Sequence, residues 1–130
     1  MVLETALSPD RARALQQALE SSIRGEIRFD LVSRSIYSTD ASVYQIIPAG
    51  VVIPRSREDV IQTVKIANEY GISITARGGG TSQAGQAVGE GLQLDCSKYL
   101  NRIVDLDLER SEVSVEPGIV LDELNRSLKF

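Results

Sequence analysis

The chain has 130 residues, of which 42% are hydrophobic and 25% charged, and this length suits one modest core with a loose N-terminal arm. The net charge of −4, with Lys and Arg scattered along the chain, argues against nucleic acid as a partner, because phosphate contacts need clustered basic residues. The chain has no histidine and one cysteine, which excludes a zinc site, a catalytic triad and an internal disulfide built from this chain.

The first predicted element is a helix from about Pro9 to Ser21. Ser8 stands in the cap position, and Pro9 takes the first helical place, where its missing N–H costs nothing. The predicted apolar face consists of Ala14, Leu15, Ala18 and Leu19. The stretch from Gly25 to Tyr44 has few regular patterns and predicts an ordered loop that straps this arm to the core, with direct ligand contact as the alternative.

A strand, a helix and a second strand are predicted next. The first strand begins at Val51, and the helix runs from about Arg57 to Tyr70, with Ser56 as N-cap and Gly71 as its stop. The second strand then leads into a glycine-rich loop. The apolar residues at helical spacing, which predict the buried stripe, are Val60, Ile61, Val64 and Ala67.

The glycine-rich loop has the composition of a phosphate-binding segment. Three consecutive glycines lack Cβ atoms, so successive N–H groups can point into one concavity. Two hydroxyls and an arginine beside them add donors and positive charge, so a pyrophosphate can be held largely by main chain. The alternative is a glycine-rich hairpin that binds nothing. The candidate phosphate-binding residues are Arg77, Gly78, Gly79, Gly80, Thr81 and Ser82.

Two well-known phosphate fingerprints do not match this loop. A Walker loop needs Lys and then Ser or Thr directly after its second glycine, but Gln86 and Ala87 follow Gly85. The Rossmann dinucleotide fingerprint fails because Gln83 stands at its last glycine position and no helix is predicted to follow. A further loop and strand are predicted instead.

The remainder of the chain predicts three strands and a helix. The strands lie near residues 91–95, 102–105 and 112–115, and the helix covers residues 120–129. The alternating acids of residues 105–109 indicate a strand entering a charged turn rather than a cation site. Cys96 follows an apolar strand and is interpreted as a small buried hydrophobe rather than a reactive thiol.

In this order, these segments resemble the flavoproteins of the vanillyl-alcohol-oxidase or PCMH-type FAD-binding fold, and within it the FAD-linked glycolate oxidase and D-lactate dehydrogenase-like branch. The resemblance runs from about Phe29 to the end of the chain, and the run from Arg34 to Tyr44 looks like the entry segment of that branch. The other matching runs are Val52-Ile53-Pro54-Arg55-Ser56, Ile74-Thr75-Ala76-Arg77-Gly78-Gly79-Gly80-Thr81-Ser82 with Gly85-Gln86, Leu94-Asp95, and Val115-Glu116-Pro117-Gly118.

The resemblance implies an α+β fold in three parts. An N-terminal helix and strap take residues 1–44, a first α/β FAD-binding lobe takes residues 45–105, and the start of a second lobe takes residues 106–130. The chain ends inside a predicted helix, so we expect a truncated piece of a longer enzyme. A surface left bare where the missing lobe docks would favour self-association.

The resemblance also implies contacts with the cofactor. The loop from Arg77 to Ser82 matches the pyrophosphate loop, Pro54 matches the proline near the adenosine end, and Gly85 with Gln86 matches the part that runs alongside the flavin. Arg77 either meets the diphosphate or anchors the loop by pairing with an acid. Some members attach FAD through a histidine at the position of Thr81, but this chain contains no histidine, so non-covalent FAD is expected.

The implied function is that of the FAD-binding segment of an oxidoreductase that oxidises a 2-hydroxy acid of the D-lactate or glycolate type, with the catalytic residues outside this chain. One alternative is a stand-alone nucleotide-binding or assembly module without redox activity. Another is a relative of the cell-wall enolpyruvyl-glucosamine reductases, against which the run from Arg34 to Tyr44 argues. The chain shows no leader and no long apolar span, which predicts a cytoplasmic location and no transmembrane segment.

Overall fold

The described part of the chain, residues 7–129 of a computed structural model, contains four helices and six strands. This mixture confirms the predicted α+β class. In chain order the elements are α1 (Pro9–Ser22), β1 (Glu26–Arg28), α2 (Leu31–Ile36), β2 (Gly50–Ile53), α3 (Arg57–Glu69), β3 (Ile74–Arg77), β4 (Leu92–Asp95), β5 (Ile103–Asp107), β6 (Glu112–Val115) and α4 (Leu121–Ser127).

A four-stranded sheet in the order β1-β2-β4-β3 forms the centre of the fold. Strands β2, β4 and β3 are parallel, and Leu94 pairs with Val52 on one side and Ala76 on the other. Strand β1 runs antiparallel along the outer side of β2. The three parallel strands therefore end at one edge, called the carboxyl edge below, where α/β sheets commonly bind ligands.

The main core lies between this sheet and the helices α1 and α3. Strands β2 and β4 are buried at every position, as expected for parallel strands that are covered on both faces. Arg11 of α1 also donates a hydrogen bond of 2.8 Å to the carbonyl oxygen of Tyr70, at the end of α3. The buried core residues are Leu15, Leu19, Ile23, Val52, Ile66, Ala67, Leu92, Leu94, Cys96 and Leu100.

Several local predictions are confirmed. Ser8 caps α1 by accepting a hydrogen bond from the N–H of Arg11, and Ser56 caps α3 by accepting one from the N–H of Asp59. Gly71 ends α3 with a φ of 63°, a backbone conformation that residues other than glycine rarely adopt. Cys96 is buried, and burial raises the pKa of its thiol, as expected for an unreactive core cysteine.

The predicted stripe of α3 is partly wrong. Ala67 is buried, but Val64 is 49% exposed, and the core-facing side instead holds Ile66 and Thr63. The reason lies at the start of the helix, where the buried carboxylate of Asp59 accepts hydrogen bonds from the main-chain N–H groups of Arg24 and Arg55, at 3.0 and 2.9 Å. Because Asp59 faces inward to accept these hydrogen bonds, the side of α3 that faces the core differs from the side that the apolar spacing predicts.

The prediction of an irregular loop from Gly25 to Tyr44 is also wrong in part, because this stretch contains β1 and α2. Asp30 caps α2 by accepting a hydrogen bond of 2.9 Å from the N–H of Ser33. This short helix buries Ser33 and exposes its apolar residues, the reverse of the usual pattern. The exposed apolar residues are Leu31, Val32 and Ile36.

After the sheet, β5 and β6 form a separate antiparallel pair followed by α4. Strand β5 ends at Asp107 and a turn follows, which confirms the interpretation of the acidic run as a strand entering a turn. Within residues 7–129, no cluster of three or more His, Cys, Asp or Glu side chains is arranged to hold a metal ion. No helix in this range has the length and apolar character needed to cross a membrane.

Candidate functional site

The glycine-rich loop leaves the carboxyl edge of the sheet at the end of β3, next to the end of β4. Pro54 follows the last residue of β2 on the same edge, but its side chain is fully buried. Because β4 lies between β2 and β3, Pro54 and Gly78 are separated by two strand spacings, roughly 10 Å. The structure thus brings the predicted residues to one edge but does not gather them into a single contact cluster.

Gly78 and Gly79 differ from the other glycines of the chain, all of which lie in the described range. At each of the others, either φ is positive or an added Cβ would overlap neighbouring protein atoms, so the fold itself requires glycine. A Cβ on Gly78 would approach nothing closer than the carbonyl oxygen of Pro117, at 4.0 Å, and one on Gly79 only Cγ2 of Thr81, at 3.7 Å. Packing within the described chain therefore does not explain these two glycines.

The main-chain N–H groups of this loop are unusually free. Within residues 7–129, those of residues 78–83 donate to no protein acceptor. Only Gly80 of the three consecutive glycines has a positive φ, 68°. Unpaired N–H groups bind an anion where they point into one concavity, and a Cβ on Gly79 would occupy part of the open space beside this loop.

The two predicted hydroxyl ligands are placed differently. Ser82 donates to the side-chain oxygen of Gln86 and accepts hydrogen bonds from the N–H groups of Ala84 and Gln86, at 3.3 and 3.2 Å. It therefore closes a turn inside the loop together with Gln86. The hydroxyl of Thr81 is exposed and has no hydrogen-bond partner within the described range, so it remains available to a ligand.

Arg77 is bound to carbonyl oxygens and forms no ion pair with an acid among residues 7–129. Its Nη1 donates to the carbonyl oxygens of Tyr37 and Thr39, both at 3.3 Å, and of Ala87, at 3.2 Å. Its Nη2 donates to Thr39 as well, at 3.3 Å. The guanidinium thus joins both ends of the loop to residues 37–44, the part of the strap meant below. The predicted alternative of pairing with an acid is wrong as to the partner, because the anchoring atoms are carbonyl oxygens.

Tyr37 and Asp95 lie next to the loop and form a contact that sequence reasoning missed. The hydroxyl of Tyr37 donates a hydrogen bond of 2.5 Å to Oδ2 of Asp95, whose Oδ1 accepts from the N–H and hydroxyl of Ser97, at 2.8 and 2.6 Å. Burial has the largest effect in raising the pKa of Tyr37 above its ordinary value, and the hydrogen bond to Asp95 raises that pKa further. The phenol therefore stays protonated. The available signal was an aspartate at a strand end, but nothing in the sequence indicated its distance from Tyr37.

Two further residues of the strap lie against the loop. Oδ2 of Asp40 accepts a hydrogen bond of 3.3 Å from the N–H of Ala87, and the hydrogen bonds from Ser42 hold the pKa of Asp40 below its usual range. The ring of Tyr44 lies so close to Gly85 that a Cβ there would approach Cδ2 at 2.6 Å. The strap therefore supports the loop along much of its length.

Comparison with known proteins identifies the family of this chain. Residues 48–130 match the family model described as FAD binding domain. The D-2-hydroxyglutarate dehydrogenase of Escherichia coli is 38% identical over 118 residues, which are 88% of this chain and 12% of that protein. The glycolate oxidase subunit GlcD of Bacillus subtilis is 31% identical over 98 residues, which are 74% of this chain and 21% of that subunit.

A solved structure supports the fold. The crystal structure of p-cresol methylhydroxylase with substrate bound superposes with a TM-score of 0.80 at 21% identity, covering 94% of this chain and 25% of that one. At that identity the likeness concerns the fold alone. The chain spans about an eighth of the Escherichia coli relative, whose matched share is 12%. Because the family model covers more than half of the chain, the resemblance is confirmed: the chain belongs to the FAD-binding-domain family, and its cofactor is FAD.

Proposed function

We propose that residues 78–83 hold the diphosphate of FAD within a flavin-dependent oxidoreductase that oxidises a small 2-hydroxy acid. The observation that carries this proposal is the pair Gly78 and Gly79, whose lack of a side chain serves no packing in the described chain and leaves room over unpaired N–H groups. Such a surface suits a doubly charged diphosphate, which main-chain donors bind without a counter-charge from a side chain.

The electrostatics of the loop favour an anion. No acidic residue occurs between Arg77 and Ala87. Asp40, which contacts the end of the loop, stays ionised, but its two oxygens already accept hydrogen bonds from the N–H groups of Ser42 and Ala87. Thr81 adds an exposed hydroxyl that has no hydrogen-bond partner among the described residues. A diphosphate on residues 78–83 therefore faces donors and no competing carboxylate within the loop.

The rest of FAD follows the carboxyl edge in this proposal. The adenosine end extends toward the chain around Pro54, and the flavin end runs beside Gly85 and Gln86. FAD is held without a covalent bond, because the chain has no histidine and its one thiol, Cys96, is buried. Bound FAD would supply the hydride-accepting chemistry for oxidation of the hydroxy acid, and the residues of this chain would orient it.

The substrate class rests on the relatives. The names of the Escherichia coli and Bacillus subtilis proteins specify D-2-hydroxyglutarate and glycolate, both of which are 2-hydroxy acids. The proposal for the full protein is tested by mixing it, without oxygen, with D-2-hydroxyglutarate, D-lactate or glycolate and following the flavin absorbance. Bleaching by one of these acids supports the oxidoreductase; FAD binding without bleaching by any of them favours a binding module.

The diphosphate site is tested on the chain itself by NMR. A ¹⁵N-labelled sample is titrated with inorganic pyrophosphate, ADP, FAD and FMN, and the amide signals are followed residue by residue. We expect pyrophosphate, ADP and FAD to shift the signals of residues 78–83, and FMN, which has no diphosphate, to shift them less. The assignment is overturned if the three diphosphates leave these amides unchanged at millimolar concentration.

A matched pair of variants sharpens this test. Gly79→Val places a branched side chain in the open space over the N–H groups, so we expect at least about a tenfold loss of pyrophosphate affinity with little change in melting temperature. Ala84→Val adds similar bulk at an exposed position of the same loop and is expected to bind normally. Equal affinity of the two variants would contradict the site.

A further inference from the structure

We infer that Arg77 is a positioning residue for the glycine-rich loop and that Tyr37 couples it to the end of β4. The inference rests on the diphosphate role proposed for residues 78–83. It assigns the positively charged Arg77 a structural role in place of direct contact with phosphate. Three observations carry it: the partners of the guanidinium, its place beneath Gly80, and the contact between Arg77 and Tyr37.

The partners of the guanidinium come from two separate segments of the chain. One nitrogen, Nη1, lies within hydrogen-bond distance of carbonyl oxygens of Tyr37, Thr39 and Ala87, and Nη2 bonds to Thr39. Residues 37 and 39 belong to the strap, whereas Ala87 closes the far end of the loop. The planar guanidinium of arginine, with several N–H donors, fits this arrangement of carbonyl oxygens. The single ammonium group of lysine does not reproduce it.

The guanidinium occupies the underside of the loop. A Cβ on Gly80 would overlap Nη2 of Arg77 and lie 3.0 Å from Cζ, so the main chain passes directly over the charged group. Gly79, which leaves open space, shows no such contact with Arg77. Arg77 therefore supports the loop from the protein side, and its hydrogen-bonding capacity is directed to carbonyl oxygens.

Tyr37 connects this support to the sheet. Its ring centroid lies 5.1 Å from Cζ of Arg77, within the range of a cation–π contact, while its hydroxyl is held by Asp95. Arg77 and Asp95 are paired neighbours at the ends of β3 and β4. Tyr37 thus lies between Arg77, which ends β3, and Asp95, which ends β4. Its contacts with these two residues fix the loop relative to both strands.

The test compares two variants of Arg77. If the guanidinium bound phosphate directly, Arg77→Lys would keep most of the affinity and Arg77→Met would lose it. A positioning role predicts that both variants lose about tenfold in pyrophosphate affinity, because both lose the planar guanidinium. Both should also speed amide hydrogen exchange at Ala87 in the free chain, a readout that needs no ligand. Arg110→Met, at an exposed site on the turn after β5, removes the same charge and serves as control.

A third variant keeps the inference testable even if Arg77→Met fails to fold. Tyr37→Phe retains the ring but removes the hydroxyl that bonds to Asp95, and we expect faster exchange at Ala87 with about a threefold loss of affinity. Wild-type affinity and exchange in Arg77→Lys would overturn the inference. Failure of the wild-type chain to bind any diphosphate, with the loop still loosened by these variants, would instead overturn the proposed function alone.

Discussion

The central sheet and the β5–β6–α4 segment use similar apolar residues and bury them to very different extents. Strands β2 and β4 have no exposed position, whereas β5 has no buried one and α4 buries none of its residues. The difference comes from coverage, because α1 and α3 pack on the central sheet while no helix in the described range covers the β5–β6 pair. Burial, more than strand propensity, separates the two regions.

The segment after the sheet leaves many of its apolar side chains in contact with solvent. The exposed residues on β5, β6 and the chain around them are Ile103, Val104, Leu106, Leu108, Val115, Val120 and Leu121. Surfaces of this kind usually mark interfaces. The predicted self-association through a bare surface remains a prediction, and this stretch is the place to test it.

The largest expected effect contrasts one leucine from each region. Leu92→Ala removes a fully buried side chain from β4 and should lower the free energy of unfolding by about 3 kcal/mol. Leu106→Ala, at a position that is 41% exposed on β5, should cost less than about 1 kcal/mol. Urea unfolding followed by circular dichroism measures both. Similar losses would show that the hairpin contributes to the same cooperative core.

The next effect lies within the glycine-rich loop. Gly80→Ala forces a side chain onto Arg77 at a positive φ and should destabilise the chain by about 1–2 kcal/mol. Gly79→Ala has open space and an ordinary φ, so its stability should lie within about 0.5 kcal/mol of wild type. Thermal unfolding of the two variants, side by side, is sufficient. A large loss in Gly79→Ala would mean that packing, after all, requires this glycine.

A polar cluster gives the central sheet a smaller, pH-dependent contribution. Glu26 accepts hydrogen bonds from Lys98, from the hydroxyl of Tyr99 at 2.6 Å, and from Arg28, and these partners lower its pKa to about 2. The pKa in the folded chain lies below the ordinary glutamate value of 4.5, so this stabilisation is complete above about pH 4.5 and is lost as pH falls toward 2. Glu26→Gln should cost about 1 kcal/mol at neutral pH and flatten this acid dependence.

The matching control lies in the other region. Glu116 pairs with Arg102 at 3.0 Å, and this partner likewise lowers its pKa, but the arginine side chain is largely exposed. Glu116→Gln should therefore change stability less than Glu26→Gln does. The two variants are compared by urea unfolding at pH 7 and pH 3, and a larger effect at Glu116 would reverse the ranking of the two regions.

The smallest effect on stability is expected at the exposed apolar surface itself. Leu106→Lys should alter the free energy of unfolding by less than about 0.5 kcal/mol, because little buried area is lost. If the bare surface drives self-association, the same change should shift the chain toward monomer in sedimentation experiments. Ser114→Lys adds a charge to the neighbouring strand without removing an apolar group and serves as control. Unchanged sedimentation in Leu106→Lys would argue against association through this face.

Local signals in the sequence predicted much of the fold. The caps Ser8 and Ser56 and the stop at Gly71 located α1 and α3, because they act on the adjacent backbone. Strand β1 was missed since its three residues gain stability only by pairing with β2, which is distant in sequence. Helix α2 was missed because its six residues expose their apolar side chains, although the cap at Asp30 was visible.

For the site, composition identified the loop but not its support. Residues such as Gly79 and Thr81 are recognisable because they are consecutive with the rest of the motif. The bond between Tyr37 and Asp95 joins residues far apart in sequence, and the carbonyl partners of Arg77 are main-chain atoms that no residue type reveals. Contact of the individual loop residues with FAD stays a prediction until the titrations are done.

The strand order has a consequence for how the chain is made. Strand β4 is the last of the three parallel strands to be synthesised, yet it lies between β2 and β3, which share no hydrogen bonds with each other. A nascent chain that stops before Leu92 therefore carries β2 and β3 without their common partner, although β1 can already pair with β2. The parallel part of the sheet has to wait until Asp95 emerges from the ribosome, and during that interval exposed strand edges make the chain vulnerable to aggregation.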